Sequence, residues 1–436
     1  MRAPLASVVA LSSFLSAAWA TGCAPAAAPD GPAEGEGEGE GGPQDSTEPL
    51  PADTFPCERL DAWPFSLASA TRPLRVHHRT RAEAAAAALV LTQLNEAWVA
   101  QVDQLGLPAP LTDELEDGTF GCGPDERIDV FMFVGTDDAY VDVVAEETDT
   151  PEEDYAPYMV IDPSSSFGDG ELRPTLFHEF HHLQQAGLDW YEPAIIYESS
   201  ATFIEASLAD REHDWEFTLF DVADHPEWAV DHDAGYDSYF NYGQAAYLIF
   251  LQQAYFDGGL DFFRDLWRGL PSPYLEAPDY QNVLDELLAP RGVTFVDTVP
   301  VYARWWAYAG EADDGAHFAR GAVWPEPART PLAVTGTTTA TLTVQPMVLG
   351  SAYVQLSAAD DGAVVVDVPA PPAGARLVVQ RIPGAAGDGD VLTLPATVPG
   401  DALLIVTAMP AGAYDALART DDVVTVTLSA RAASAR

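Results

Sequence analysis

The chain has 436 residues, enough for two domains with tails. It carries 68 acidic against 20 basic residues, for a net charge of −48, and every basic residue is Arg. So acidic a molecule repels phosphate backbones, which argues against nucleic acid as a partner.

Residues 1–22 read as an export signal. Arg2 supplies a minimal positive region, and Leu5 to Trp19 is apolar but too short to span a membrane. Two processing readings stand side by side. Ala18-Trp19-Ala20 suits a soluble secretory cleavage site, whereas Ala20-Thr21-Gly22-Cys23 resembles a degenerate bacterial lipobox with Cys23 lipidated. The chain has three Cys: Cys23, Cys57 and Cys122. Lipidation of Cys23 leaves an even pair, expected in an oxidising compartment as a Cys57–Cys122 disulfide; soluble cleavage leaves Cys23 as an odd thiol. The expectation carried forward is an exported cell-envelope lipoprotein whose only membrane contact is its N-terminal lipid, with a freely secreted form as the alternative.

Residues 23–55 are rich in Gly, Glu and Pro and have almost nothing to bury, as an acidic tether would. A folded domain is expected over 56–325. Ala82 to Leu105 has apolar positions at helical spacing, and Ile128–Val134 and Tyr158–Ile161 read as strands. The acidic runs Glu146-Glu147-Thr148-Asp149 and Glu152-Glu153-Asp154 are solvated loops or a place for Ca²⁺ with oxygen ligands.

The chemistry concentrates in His178-Glu179-Phe180-His181-His182, which reads H-E-x-x-H. On a helix, His178 and His182 are four residues apart and project from one face, so two imidazoles can bind one metal. Glu179, beside the first ligand, is placed to take a proton from water. Pro174 suits a first helical position, Gly187 the residue past the end, and Leu176, Phe180 and Leu183 form an apolar side. His181 points away from the pair, as an ordinary polar residue or a group behind the ligands. Where a metzincin needs Gly and a third His, this chain has Gln185 and Leu188, so that clan is excluded. Pro193 can open a second helix with Glu198 and Glu205 on one face, and the small residues Ser199, Ser200 and Ala201 allow close approach to another helix. A carboxylate on that face can complete a His-His-Glu site; otherwise both Glu residues are solvated charges.

H-E-x-x-H followed by E-x-x-A-x-x-x-E resembles the gluzincin metallopeptidases, the thermolysin-like and zinc aminopeptidase-like enzymes. The whole run also looks like a bacterial family of secreted metalloproteases with a zincin domain followed by a β-rich domain. The resemblance covers roughly Arg72 to Ala309, with its strong motifs in Pro174 to Glu205. It implies Zn²⁺ held by His178, His182 and Glu198, Glu179 as general base, and Glu205 as a carboxylate behind the ligands. The gap between His182 and Glu198 is slightly shorter than in most of those families, and the G-x-M-E-N motif of aminopeptidases is absent. An endopeptidase acting on a peptide or protein is therefore expected. The stretch Tyr239 to Leu248 resembles the helix that follows the third ligand, which would make Tyr242, or next Tyr239, an oxyanion donor; both also fit as packing aromatics.

Helices are expected at Tyr236–Phe256, Leu260–Leu270, Tyr280–Leu288 and Pro300–Ala309. From about 330 to 436 short β-rich runs recur: Ala340–Val344, Tyr353–Leu356, Ala363–Val368, Arg376–Arg381, Val391–Leu394, Leu403–Thr407 and Val423–Leu428. Their spacing suggests an accessory β-sandwich. The expected fold class is thus α+β: a zincin-like domain of mixed sheet, motif helix and helical subdomain, then an all-β sandwich. Two rival readings remain: an idle zincin-fold surface binding protein, and a structural zinc site closed by His181 or Glu205.

Overall fold

The computed structural model describes residues 43–47, 55–114, 120–135, 139–146, 154–164, 172–209, 213–235, 238–271, 279–336, 338–358, 362–369, 371, 374–383, 389–414 and 422–433. The export signal, Cys23, most of the linker and most of both acidic runs lie outside them. The protein is mixed α and β, with three sheets, and forms two compact units. The first takes in the described residues up to Pro193, with Ser200–Trp215 and those of Phe263–Pro278. The second takes in Ala194–Ser199, Glu216–Phe262 and the described residues from Asp279 onward.

In the first unit, strands β1 (Phe65–Ala68), β2 (Leu74–His78), β3 (Ile128–Met132), β4 (Ala139–Glu146) and β5 (Tyr155–Ile161) form one sheet in the order β1-β2-β3-β5-β4. β2, β3 and β5 are parallel; β1 and β4 are antiparallel edges. The parallel centre explains why β2, β3 and β5 are buried almost throughout rather than alternating. Helix α1 (Ala84–Trp98) follows a Thr80/Glu83 capping box and continues as a π-helix over Val99–Gln104. Together these two elements cover almost the whole expected helix.

Helix α2 (Leu172–Ala186) carries the motif. Its Leu176, Phe177, Phe180 and Leu183 join Val90, Leu94 and Trp98 of α1 and Met159 and Ile161 of β5 in one core. Each such side chain contributes about 1.5–3 kcal/mol of burial. A smaller cluster holds Trp63, Cys122, Phe131 and Tyr158. There Cys57 and Cys122 are joined, Cα atoms 4.5 Å apart, as expected. The Asp113 carboxylate accepts hydrogen bonds from the Cys122 and Gly123 amides at 2.8 and 2.9 Å.

Three local expectations change. Pro174 lies inside the first described turn of α2 rather than opening it. Gly187 does follow the helix, but its backbone is not left-handed; a Cβ there would lie 3.1 Å from the Leu111 backbone nitrogen, so close approach accounts for the glycine. Pro193 is the cap, with extended backbone, and helix α3 runs unbroken over Ala194–Ile204 before a π-helix at Glu205–Ala209.

The second unit holds α4 (Leu219–Asp224), α5 (Phe240–Gly243), α6 (Ala245–Tyr255), then, after α7 (Asp261–Gly269), α8 (Tyr280–Leu288) and α9 (Phe295–Trp306). The helix expected at Tyr236–Phe256 is broken at Gln244, which caps both α5 and α6. α9 starts five residues before the expected Pro300. The Thr294/Asp297 capping box sets its start, and Pro300 is carried inside at the loss of one backbone hydrogen bond.

Among the described residues nine strands complete this unit: β6 (Arg329–Val334), β7 (Ala340–Val344), β8 (Ser351–Ala358), β9 (Ala363–Asp367), β10 (Ala375–Ile382), β11 (Asp390–Val391), β12 (Ala396–Pro399), β13 (Leu403–Pro410) and β14 (Val426–Ala432). They form two sheets, β11-β10-β13-β8-β6 and β12-β9-β14-β7. Val354, Leu404 and Val406 from one sheet share a core with Val364, Val366 and Leu428 from the other. Each of the seven expected runs overlaps a strand, but β11 shares only Val391 with its run and β14 begins at Val426, three residues into its own. The parallel edge strand β6, which contains Pro331, and β12 were not expected. Helix and sandwich are tied inside this unit: the Tyr353 hydroxyl donates to the Ala303 carbonyl at 2.6 Å, and the Met347 and Ser351 amides donate to the Glu227 and Pro226 carbonyls.

Candidate metal centre

α2 fixes the motif by burying the side opposite the ligands. Trp98 meets Phe180 edge-on at 5.8 Å, and the Gln101 amide donates to the Phe177 carbonyl at 2.8 Å, one residue before the first histidine. His178 and His182 then sit one turn apart, ring centroids 4.8 Å from each other. The two imidazoles and the Glu198 carboxylate each offer one ligand atom, and these atoms all lie within 4.8 Å of one another. No other group of three or more His, Cys, Asp or Glu side chains converges in this way among the described residues.

The site is well shielded. His178 and Glu179 are each 3% exposed, Glu198 7% and Glu205 5%; His182 is half-buried. Glu198 and Glu205 are therefore not solvated helix-face charges. Carboxylates buried at this depth beside imidazoles favour a cation.

Each histidine is held from behind. The Glu205 carboxylate lies 3.3 Å from His178 Nδ1. The π-helical turn that carries Glu205 is anchored to the start of α2, where the Arg173 guanidinium donates to the Leu208 and Ala209 carbonyls at 3.2 Å each. Behind His182 stands Gln185, whose Oε1 is 2.5 Å from Nδ1. The Gln185 amide nitrogen donates to the Ser200 hydroxyl at 2.8 Å. The sequence gives Gln185 no part in the site and Ser200 only that of a small residue at a helix contact, because neither residue type marks a metal site. The only available signal was the helical spacing of Gln185 from His182.

His181 turns away from the ligand pair, as the helical spacing requires. It is fully buried beside Phe263 and Trp267, each 5.3 Å away, with Nδ1 3.3 Å from the Gln184 amide oxygen. Burial holds its pKa well below the ordinary imidazole value, with His182 adding to the effect. A neutral histidine packed in this way is a core residue.

Tyr242, on α5, and Tyr239 just before it lie 6.4 Å apart edge-on, and Tyr239 also packs on Phe217 at 5.0 Å. The donor set of two imidazole nitrogens and one carboxylate oxygen suits zinc and leaves a tetrahedral ion one open position. The chain matches no protein-family model and no curated relative.

Proposed function

We propose that the protein is an exported zinc-dependent endopeptidase of gluzincin type, with a zincin-like domain over residues 56–325. The observation that carries this reading is the convergence of His178, His182 and Glu198 beside a buried Glu179. Zinc bound there supplies Lewis acidity and lowers the pKa of water to about 7. The chain's own groups do the rest. His178 and His182 present Nε2, because Glu205 and Gln185 occupy the Nδ1 sides. Glu198 contributes the anionic ligand. Glu179 accepts a proton on its carboxylate and later returns it to the leaving amine. Tyr242 is the candidate donor to the developing oxyanion. The substrate class, a peptide bond in an exported or extracellular protein, comes from the motif resemblance alone. The intact Glu179 favours an enzyme over an idle binding protein, since holding a metal does not require it.

The test is the metal content of the purified full chain beside His178→Ala and Glu198→Ala, with cleavage of an unstructured protein followed in parallel. About one zinc per chain, lost in both variants, with chelator-sensitive cleavage is expected. Zinc retained in Glu198→Ala would overturn the ligand assignment. Zinc without cleavage of any substrate would favour the binding protein.

A further inference from the structure

We propose that Gln185 is a positioning residue that selects the metal-binding tautomer of His182 and couples it to the helix bearing Glu198. The inference rests on the zinc reading above and concerns how the chain prepares that site. Oε1 of Gln185 faces His182 Nδ1 at 2.5 Å, while its Nε2 donates to the Ser200 hydroxyl at 2.8 Å. An amide oxygen can only accept, so His182 Nδ1 must carry the proton and Nε2 keeps its lone pair for a metal. The opposite amide orientation would place an NH₂ against Nδ1 and force the proton onto Nε2, where it blocks ligation. In the orientation observed, the nitrogen end is taken up by the Ser200 hydroxyl, which accepts from it.

Ser200 and Glu198 are two residues apart on one unbroken helix. The Gln185–Ser200 bond therefore fixes the turn of α3 from which Glu198 projects relative to the turn of α2 that carries His182. Gln185 and Ser200 are both fully buried, so the bond is shielded from water. The choice of an amide also follows from the local charge. Glu179, Glu198 and Glu205 already place three buried carboxylates around the two histidines. Gln185 supplies the acceptor that His182 needs without adding a fourth.

The test compares zinc affinity, by competition with a chromophoric chelator, in the full-length protein and in Gln185→Leu, Gln185→Glu and Ser200→Ala. Thermal unfolding of each metal-free form is measured alongside. Gln185→Leu is expected to weaken zinc binding by about 10–100-fold. Gln185→Glu restores most of it, because a carboxylate still accepts from Nδ1–H and can accept from the Ser200 hydroxyl. Ser200→Ala falls between the two. An unchanged affinity in Gln185→Leu overturns the positioning role while leaving the metal site standing. A loss that only tracks a lower metal-free unfolding temperature, and that Gln185→Glu does not rescue, also overturns it in favour of plain packing. No zinc in the unaltered protein defeats the metal reading itself, separately from this inference.

Discussion

The Glu205 carboxylate lies 3.3 Å from His178 Nδ1, at the point where α3 passes into a π-helical turn. α3 ends at Ile204, Glu205 opens the π turn Glu205–Ala209 while keeping α-type backbone itself, and Arg173 ties that turn to the start of α2. A carboxylate at this point orients the ring and raises its basicity as a ligand. Glu205→Ala is therefore expected to weaken zinc binding by about 10–100-fold, and Glu205→Gln by less, since an amide oxygen can still face Nδ1. Chelator competition measures both. Equal affinity in all three proteins would show that the contact is incidental.

Glu179 is buried next to a ligand yet is not one of the three converging groups. Its expected work is proton transfer alone. Glu179→Gln keeps the shape and removes the basic oxygen, so zinc content should stay near one per chain while turnover falls by at least 10²-fold, roughly, the usual contribution of a general base. Single-turnover cleavage with matched metal loading checks this. Turnover that survives the substitution would assign the base elsewhere.

Much of the site is legible in the sequence because helical spacing alone places His178 and His182 on one face and turns His181 toward Phe263 and Trp267. The small residues around Ser200 similarly announce a close helix pair. Gln185 was not legible, since its role depends on a hydrogen bond to another helix that no local pattern encodes. In the fold, β2 escapes notice because Arg75, His77 and His78 leave only Leu74 and Val76 as apolar residues in a five-residue strand. β6 was missed because Pro331 argues against a strand, though an edge strand tolerates it. Pro300 misled in the opposite direction: it reads as a helix start, while the true start is set by Thr294 and Asp297.

The Cys57–Cys122 bond closes a sequence separation of 65 residues. By the chain-entropy account a loop of that size stabilises the fold by about 4 kcal/mol, an upper figure if the reduced chain retains structure. Cys57→Ser with Cys122→Ser should lower the urea midpoint markedly and raise the m-value, because the unlinked denatured chain exposes more surface. Zinc stoichiometry in the folded variant should remain the same, because the metal ligands lie on α2 and α3. An unaltered midpoint would mean that the bond constrains little in the unfolded chain.

Asp113 makes the disulfide loop sensitive to pH. Its pKa is raised to about 7: burial raises it most, the Cys122 and Gly121 amides pull it part of the way back, and the nearby Asp129 carboxylate adds to the rise. The native state therefore holds a proton that the unfolded chain releases near pH 4. Stability from this group is complete below about pH 4 and is lost as pH rises toward about 7, at up to 1.4 kcal/mol per unit, roughly. Asp113→Asn keeps an oxygen to accept from the Cys122 and Gly123 amides and cannot ionise. Urea unfolding of the oxidised protein at about pH 5 and about pH 8 should show the variant gaining on the parent by on the order of 2 kcal/mol between the two. Parallel pH profiles for parent and variant would mean that Asp113 is already ionised in the folded protein at the lower pH.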